Sequence, residues 1–294
     1  MSGKVLVVGD VMTDIIVTPE GPIVPGSDRR AKVRSRPGGS GANQAVWHGA
    51  MAADVTFAAR VGADDRVMYE NYFRGQGVVP RLSGDKDLPS GVLVTLLDPD
   101  GERSFLTDRG ANLELCGDDL QADLLDDVAL VLVSGYSFFA PGPRAAVQGL
   151  LAVAKARGIK VAIDPASAGF LSEVGTANFI EWTRGADFLF SNESEAELLC
   201  AAVGVEDGVR ALGQHYTTVI IKRGRHGAAI GGAAGVRHAQ PAPVVTVVDS
   251  TGAGDAFAAG FVAAYLNGAA EEEALTRGIA SGAKAVQSLG GQPA

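Results

Sequence analysis

Residues 249–255 combine two carboxylates with small residues, in the order Asp-Ser-Thr-Gly-Ala-Gly-Asp, at the end of an apolar stretch. A helix-like apolar pattern follows over residues 256–266, so the segment predicts the start of a helix. The first N–H groups of a helix favour an anion, and Gly252 and Gly254 would let that anion approach the backbone closely. Asp255 could then accept a proton from a hydroxyl that attacks a phosphoryl group, or it could simply cap the helix.

A second glycine-rich turn, Arg-Pro-Gly-Gly-Ser-Gly-Ala-Asn-Gln-Ala, precedes a predicted helix over residues 42–52. Gly38 and Gly39 would let the backbone approach a ligand hydroxyl closely, and Asn43 offers both a donor and an acceptor. The alternative is a flexible connection in which Ser40 or Asn43 caps the helix.

Two charged residues near predicted strands are further candidates for ligand contacts. Asp14 follows the first predicted strand, and ligands in an open α/β sheet bind beyond the carboxyl ends of strands. Asp14 could therefore bind hydroxyl groups, although a lone Asp after a strand is also a common turn former. Arg109 follows a predicted hairpin and could meet the carboxylate of an acidic ligand. Surface charge accounts for Arg109 equally well.

Two more polar clusters follow predicted strands. Residues 191–195 read Ser-Asn-Glu-Ser-Glu, in which Asn192 could cap the next helix and Glu195 could hold hydrated Mg²⁺ near phosphates. Residues 222–227 read Lys-Arg-Gly-Arg-His-Gly. Their glycines and basic side chains suit a nucleotide phosphate or base edge, or a basic hairpin turn.

The elements that would position these residues alternate along the chain. Several short apolar runs are apolar on both faces, as in a parallel sheet covered by helices, and strand-helix repetition indicates an α/β sandwich. The predicted strands are residues 4–8, 55–59, 129–133, 160–163, 188–190 and 219–221, and the predicted helices include residues 42–52, 143–157, 194–202 and 206–215.

Two segments break this alternation, residues 14–37 and 91–107. The second predicts a hairpin around the turn Asp-Pro-Asp-Gly at residues 98–101. The two segments could pair into a small sheet that acts as a lid over a cleft, or they could be surface hairpins.

The composition of the chain excludes several classes of protein. The chain has 294 residues, 47% of them hydrophobic, which suffices for one large core. We find no apolar run long enough for a membrane span and no signal peptide, so we predict a cytoplasmic protein. The net charge of −9 argues against nucleic acid as a partner. The two cysteines and four histidines show no metal-ligand spacing.

The motifs occur in one order: Gly-Gly-x-Gly-Ala-Asn, Asn-x-x-Glu at residues 192–195, Lys-x-Gly-x-x-Gly at 222–227, and Asp-x-Thr-Gly-Ala-Gly-Asp. In this order they resemble the ribokinase/PfkB family of carbohydrate kinases over residues 4–293. The resemblance implies a single ribokinase-like domain over residues 1–294, a three-layer α/β/α sandwich with a small β-sheet lid. It also implies ATP with Mg²⁺ as the phosphoryl donor and a terminal hydroxymethyl group as the usual acceptor.

The resemblance also implies roles for individual residues. Asp255 would be the general base and Gly252, Ala253 and Gly254 the anion hole. The acceptor would contact Asp14, Gly38, Gly39, Asn43 and Arg109, and the nucleotide would contact Asn192, Glu195, Lys222, Gly224 and Gly227, with Glu195 also holding Mg²⁺ through water. Family members often bind a monovalent cation such as K⁺, here beside Asp249, Thr251, Ala285 and Gly290, although Ala294 stands where a polar group is often found. The lid is often a dimer interface, so we predict a homodimer.

The sequence does not identify the acceptor molecule. Ribokinases carry Asn where this chain has Met12 and Lys where it has Ser40, which argues against free ribose. Three kinds of acceptor are still compatible with the sequence: a keto-deoxy sugar acid, a ketohexose, and a nucleoside such as pseudouridine. A ligand-binding regulator without catalysis is a rival, but the intact acidic residues and glycines argue against it. A dehydrogenase is disfavoured because residues 9–14 do not match Gly-x-Gly-x-x-Gly.

Overall fold

Two sheets of unequal size organise the chain in a computed structural model that describes residues 3–97 and 103–293. We number strands and helices in chain order. The larger sheet contains β1 (Lys4–Val8), β4 (Val55–Gly62), β5 (Val79–Asp85), β8 (Val128–Ser134), β9 (Lys160–Asp164), β10 (Phe188–Asn192), β11 (Thr218–Lys222), β12 (Ala228–Gly232) and β13 (Gly235–Gln240).

The larger sheet has the order β13-β12-β11-β10-β9-β8-β1-β4-β5. Strands β11 to β5 in this order pair in parallel, whereas β12 and β13 form an antiparallel edge. Parallel strands require crossover connections, and helices supply them here. The carboxyl ends of β1, β8, β9, β10 and β11 therefore meet at one edge, where a ligand can bind.

Helices cover both faces of the larger sheet, which confirms the predicted three-layer α/β/α arrangement. The helices are α1 (Ser40–Ala50), α2 (Arg66–Gly75), α3 (Pro141–Ala156), α4 (Ala168–Val174), α5 (Thr176–Thr183), α6 (Glu193–Cys200), α7 (Val205–Leu212), α8 (Ala253–Leu266) and α9 (Glu271–Ala285). Short 3₁₀ turns lie at Gly110–Glu114, Gly117–Asp119, Ala122–Leu125, Gly135–Phe138 and Gly224–His226.

Alternating side chains of the strands point into two separate hydrophobic cores, one on each face of the larger sheet. In β8, Leu130 and Leu132 face the core shared with α1, α2, α8 and α9, whereas Val131 and Val133 face the core shared with α3, α5, α6 and α7. Each fully buried side chain of this kind contributes roughly 1.5–3 kcal/mol, so both faces of the sheet anchor the strand ends. Within the described residues no helix is long and apolar enough to cross a bilayer.

The smaller sheet contains β2 (Met12–Pro19), β3 (Ala31–Gly38), β6 (Gly91–Leu97) and β7 (Arg103–Asp108), in the order β3-β2-β6-β7. Strands β2 and β3 are antiparallel, β2 and β6 are parallel, and β6 and β7 form the predicted hairpin. The turn predicted at residues 98–101 lies outside the described residues. One face of this sheet points at the main sheet's ligand edge, because Asp14, Leu93 and Thr107 pair across it and line a cavity there.

Candidate active site

Two cavities lie along the carboxyl edge of the larger sheet. One cavity, about 320 Å³, lies under the smaller sheet, and we call it the acceptor-side cavity after the role that the sequence predicts for Asp14, Gly39 and Asn43 in its lining. The other, about 690 Å³, lies between the β11–β12 connection and helices α8 and α9, and we call it the donor-side cavity after the role predicted for Lys222, Gly224 and Gly227. Asn192, Lys222 and Gly254 line both cavities, so the cavities meet at these three residues.

Asp255 lies at this junction, in the first turn of α8. Helix α8 begins after Gly252, whose φ of 72° is in the left-handed region that favours glycine. Oδ1 of Asp255 accepts hydrogen bonds from Ser40 Oγ at 2.7 Å and from Gln44 Nε2 at 3.2 Å. Oδ2 accepts a hydrogen bond from Asn43 Nδ2 at 3.0 Å. The side chain is therefore held by α1 and does not cap its own helix.

Burial raises the pKa of Asp255 to about 7, with Asp164 as the second cause. Hydrogen bonds from Ser40 and Asn43 and the charge of Lys222 lower the pKa in opposition. A carboxyl group with a pKa near neutrality can both accept and release a proton under ordinary conditions. The position and pKa of Asp255 therefore suit general base chemistry.

A buried ion pair lies beside Asp255. Lys222 Nζ donates to Asp164 Oδ2 at 2.7 Å, and the Asp164 side chain is only 5% exposed. Oδ1 of Asp164 accepts the Ala166 N–H at 3.1 Å, which fixes the carboxylate. A Cβ at Gly254 would lie 3.0 Å from Lys222 Nζ, so the ammonium lies against the start of α8. The pair places positive charge where the two cavities meet.

The predicted anion hole is at the same place. Gly252 and Gly254 line the acceptor-side cavity, and Ala253 and Gly254 line the donor-side cavity. The Ala253 N–H makes a long hydrogen bond to the Ser250 carbonyl at 3.3 Å. A Cβ at Gly252 would collide with the backbone of Gly291, so the turn has room only for glycine.

Asn192 and Glu195 form a reciprocal capping box at the start of α6. Asn192 Oδ1 accepts the Glu195 N–H at 2.9 Å, and Glu195 Oε2 accepts the Asn192 N–H at 2.9 Å. The predicted cap is thus present, yet both residues also line the acceptor-side cavity. Burial raises the pKa of Glu195, and the charge of Lys222 lowers it in opposition.

Four of the polar side chains that line the acceptor-side cavity are Asp10, Asp14, Arg109 and Tyr136. Arg109 Nη1 lies 3.5 Å from Asp10 Oδ2, and its guanidinium lies 4.5 Å from the Tyr136 ring centroid. Burial, followed by the charge of Asp10, raises the pKa of Asp14 to about 7. Within the described residues Oδ1 of Asp14 has no hydrogen-bond partner, although it is buried. A ligand hydroxyl would satisfy it.

Gly38 and Gly39 shape this end of the site in different ways. Gly39 lines the cavity with a φ of 96°, whereas Gly38 packs directly against the Asp14 carboxylate and does not line it. Asn43 lines the cavity, but its amide nitrogen is bonded to Asp255 and not directed at a ligand.

The donor-side cavity has a largely apolar wall. Gly224 and Gly227 lie on one side of it, and a Cβ at Gly227 would collide with the Gln240 carbonyl. The apolar wall comprises Ala242, Pro243, Val244, Val245, Val247, Phe257, Ile279, Ala283 and Val286. Such a wall suits the flat face of a nucleotide base, and the junction with Lys222 suits its phosphates.

Residues 289–292 are held by four separate elements. In chain order they contact the side chains of Arg36, Asp249, Trp47 and Tyr72. The segment thereby ties the smaller sheet, the turn before α8, and helices α1 and α2 together at the site.

The residues predicted for a monovalent cation divide into two groups. Asp249 Oδ1 accepts hydrogen bonds from the Thr251 N–H and hydroxyl, at 2.9 and 2.7 Å, and Oδ2 accepts the Gly290 N–H at 2.9 Å. These three residues form one loop cluster. Ala285 is buried at the end of α9 and lines neither cavity. Ala294 lies outside the described residues.

The chain matches a known protein family over nearly its whole length. The sequence profile described as "pfkB family carbohydrate kinase" matches residues 2–294. The chain belongs to the PfkB family. An ATP-dependent ribose-1-phosphate kinase from Halopiger xanaduensis is 29% identical over 289 residues, which cover 95% of this chain and 90% of that protein.

Solved structures of other kinases share the fold. Ribokinase from Thermotoga maritima is 27% identical, with a TM-score of 0.83 over 99% of this chain and 96% of that one. Aminoimidazole riboside kinase from Salmonella enterica, solved with aminoimidazole riboside and an ATP analogue, is 26% identical, with a TM-score of 0.79 over 99% and 96%.

Sequence reasoning missed several residues of this PfkB kinase site: Asp10, Gln44, Asp164 and Phe170. Two of them carried a usable signal, because Asp10 and Asp164 come at the carboxyl ends of predicted strands. Gln44 carried none, since a glutamine in a helix predicts a surface position, whereas here its side chain reaches Asp255.

Proposed function

We propose that this PfkB kinase transfers the γ-phosphoryl group of ATP to a hydroxymethyl group of a small sugar or sugar derivative, with Asp255 as the general base. The junction of the two cavities at Lys222 and Gly254, next to Asp255, supports the proposal above all. A nucleotide in the donor-side cavity would present its phosphates to an acceptor in the other. The name of the Halopiger relative supports ATP as the donor.

The proposed step is a direct in-line displacement. The acceptor oxygen forms a bond to the γ-phosphorus while the bond from that phosphorus to the bridging oxygen breaks, and ADP leaves. The acceptor proton passes to the carboxylate of Asp255. Backbone N–H groups at the start of α8, together with the Lys222 ammonium, would stabilise the negative charge on the moving group.

We propose that Mg²⁺ binds next to the same junction. Hydrated Mg²⁺ is typically bound by one or two carboxylates together with substrate phosphates, and Glu195 offers a buried carboxylate at the cavity wall. When bound, the ion would neutralise phosphate charge. We also propose a K⁺ site beside the Asp249–Thr251–Gly290 cluster, because the buried carboxylate of Asp249 offers negative charge there.

We further propose that the smaller sheet acts as a lid and as a homodimer interface. The sheet face that points away from the acceptor-side cavity carries Ile15, Val17, Val33, Val94, Leu96 and Leu106. Val33 and Leu106 are each 61% exposed, and an exposed apolar sheet face of this kind favours a protein partner. Sedimentation of the wild-type protein and of Val33→Glu would test this.

A nucleoside is the second candidate acceptor. Tyr136 and Phe170 line the acceptor-side cavity with their rings 5.6 Å apart, and an aromatic wall can stack on a base. The Salmonella neighbour, which binds a riboside, supports this candidate. The ketohexose and keto-deoxy sugar acid remain candidates within the sugar class.

The experiment is a panel assay of ADP release from ATP, with phosphate placement checked by ³¹P NMR. The panel contains ketohexoses, keto-deoxy sugar acids, ribose-1-phosphate and nucleosides including pseudouridine. We expect one class to be phosphorylated on its hydroxymethyl group, and Asp255→Asn to abolish most of that activity. Wild-type protein that binds ATP but phosphorylates no panel member would indicate the rival, a nucleotide-dependent binding protein.

A further inference from the structure

The first turn and a half of α1 supplies three hydrogen-bond donors to Asp255. Ser40 and Gln44 both donate to Oδ1, and Asn43 donates to Oδ2. Gln44 Nε2 also lies 3.4 Å from Ser40 Oγ, so the two donors to Oδ1 contact each other. A carboxylate that accepts several hydrogen bonds is stabilised in its charged form and held in one orientation.

The donors are themselves fixed in place. The start of α1 is tied to the end of β1, because Asp10 accepts the Gly41 N–H at its side chain and the Ala42 N–H at its backbone carbonyl. Gln44 is fully buried, and its Oε1 has no partner within the described residues. The orientation of the Gln44 amide is therefore set by the donation of its nitrogen to Asp255.

Ser40 has two neighbours of different kinds. It borders the acceptor-side cavity, yet its hydroxyl donates to Asp255 at 2.7 Å, a short charge-assisted distance. The sequence predicts for position 40 either a helix cap or the loss of a lysine contact to the acceptor. The geometry assigns the hydroxyl a partner within the protein.

Other groups that face Asp255 carry or can gain charge. Asp164 at the end of β9 raises the pKa of Asp255, and Lys222 at the end of β11 lowers it. The Tyr136 phenol lies within electrostatic range, and its own pKa is raised to about 12, mainly by burial, so it stays neutral. Ser40 and Gln44 are neutral at every relevant pH, so their effect on Asp255 does not itself titrate.

We propose that Ser40 and Gln44 are positioning residues that hold Asp255 as an oriented carboxylate, ready to accept the acceptor proton. The inference rests on the proposed role of Asp255 as general base. Neither residue needs to touch the acceptor, so neither should control which acceptor binds.

The test compares pH profiles of kcat and of kcat/KM for Ser40→Ala, Ser40→Thr and Gln44→Met, with the acceptor found by the panel assay. Removing a donor raises the pKa of Asp255 further, so the acidic limb should move upward by about one pH unit. Ser40→Ala should then lose about tenfold in kcat at pH 6 and recover most of it at pH 9, because Asp255 is ionised there in both proteins. Ser40→Thr keeps the hydroxyl and should keep the wild-type profile.

Acceptor KM should change by less than about threefold in Ser40→Ala, since the hydroxyl is assigned to Asp255. Thermal unfolding of each variant separates folding defects from these effects. The inference would be overturned by a decrease in kcat that is equal at pH 6 and pH 9. It would also be overturned by a rise in acceptor KM with no change in kcat. If Asp255→Asn itself keeps near wild-type activity, the proposed function fails first. If Asp255→Asn is inactive while Ser40→Ala and Gln44→Met keep the wild-type profile, only the positioning role fails.

Discussion

Lys222 Nζ lies 2.7 Å from Asp164 Oδ2, and the two residues come from strands β11 and β9, which are separated by β10 in the sheet. The same ammonium borders both cavities. One buried charge therefore lies beside both cavities, and its partner carboxylate raises the pKa of Asp255.

Replacing Lys222 with Met should destabilise the protein strongly. Asp164 and Glu195 would be left as buried carboxylates without their cation, and breaking one partner of a buried pair costs about 3–5 kcal/mol. The loss should be larger at pH 8 than at pH 5, because burial raises the pKa of Glu195 and removal of the Lys222 charge would raise that pKa further, so that the variant buries an uncompensated charge at pH 8. Urea unfolding at both pH values measures it.

Lys160→Met is the matched control. Lys160 Nζ lies 2.7 Å from Asp187 Oδ1, the same distance, but the two side chains are 48% and 22% exposed. An exposed pair contributes about 0–1 kcal/mol, so this variant should unfold almost like the wild type. Equal losses of unfolding free energy in Lys222→Met and Lys160→Met would contradict the prediction that burial makes the Lys222 pair the more costly one to break.

Asp255→Asn should lower kcat by about 10²–10⁴-fold and raise stability. The folded-state pKa of Asp255 is about 7 against an ordinary value of 3.8, so the stability that this group contributes is lost as pH rises from about 4 through 7. Asparagine carries no charge to bury. The variant should therefore exceed the wild type in Tm by more at pH 8 than at pH 5, as differential scanning calorimetry can show.

Gly252→Ala should lower both stability and activity. Gly252 has a φ of 72°, and a Cβ there would collide with Gly291. The left-handed backbone alone costs an alanine about 1–2 kcal/mol, and the collision adds to it. Gly268→Ala isolates the first cost, because Gly268 has a φ of 84° with nothing within 4 Å of a Cβ. Comparable Tm losses in the two variants would show that the turn before α8 can shift to make room for a Cβ, which would contradict the added cost of the collision.

Asp14→Asn should raise the acceptor KM by about tenfold, the equivalent of one lost hydrogen bond to a charged group, and leave the ATP KM within about twofold. The buried Oδ1 of Asp14 lacks a partner within the described residues, and Asp14 lines the acceptor-side cavity. Thr13→Val is the control for damage to β2, because Thr13 bonds instead to the Tyr69 hydroxyl at 2.6 Å. A rise in ATP KM alone would contradict the placement of the acceptor.

Strongly apolar strands could be predicted closely from the sequence. Residues 4–8 were predicted and found without change, and residues 129–133 lie within Val128–Ser134. The sequence Ala-Ala-Ile-Gly-Gly of β12 was missed, because small residues carry little β propensity and its place between β11 and β13 is set by tertiary pairing. Helix α9 was missed because small residues such as Ala274 and Gly278 form part of its buried face.

Motif glycines and acids of the site could be predicted because local turn chemistry demands them. Gly252 needs a left-handed φ, and the capping box of Asn192 and Glu195 follows from their spacing. The bond between Gln44 and Asp255 joins residues 211 positions apart and depends on how α1 packs on α8. No local pattern encodes such a distance, so the partners of Asp255 emerged only from the fold.

Residues 289–292 join the smaller sheet to α1, α2 and the turn before α8, all of which are built mainly from residues far earlier in the chain. A domain generally folds as a unit, and contacts of long sequence separation form slowly because closing a long loop costs conformational entropy. A ribosome-bound chain that lacks these residues would have both sheets but no braced site. Newly made protein should therefore gain kinase activity only once residues 289–292 are free of the ribosome, after every strand of both sheets has been made.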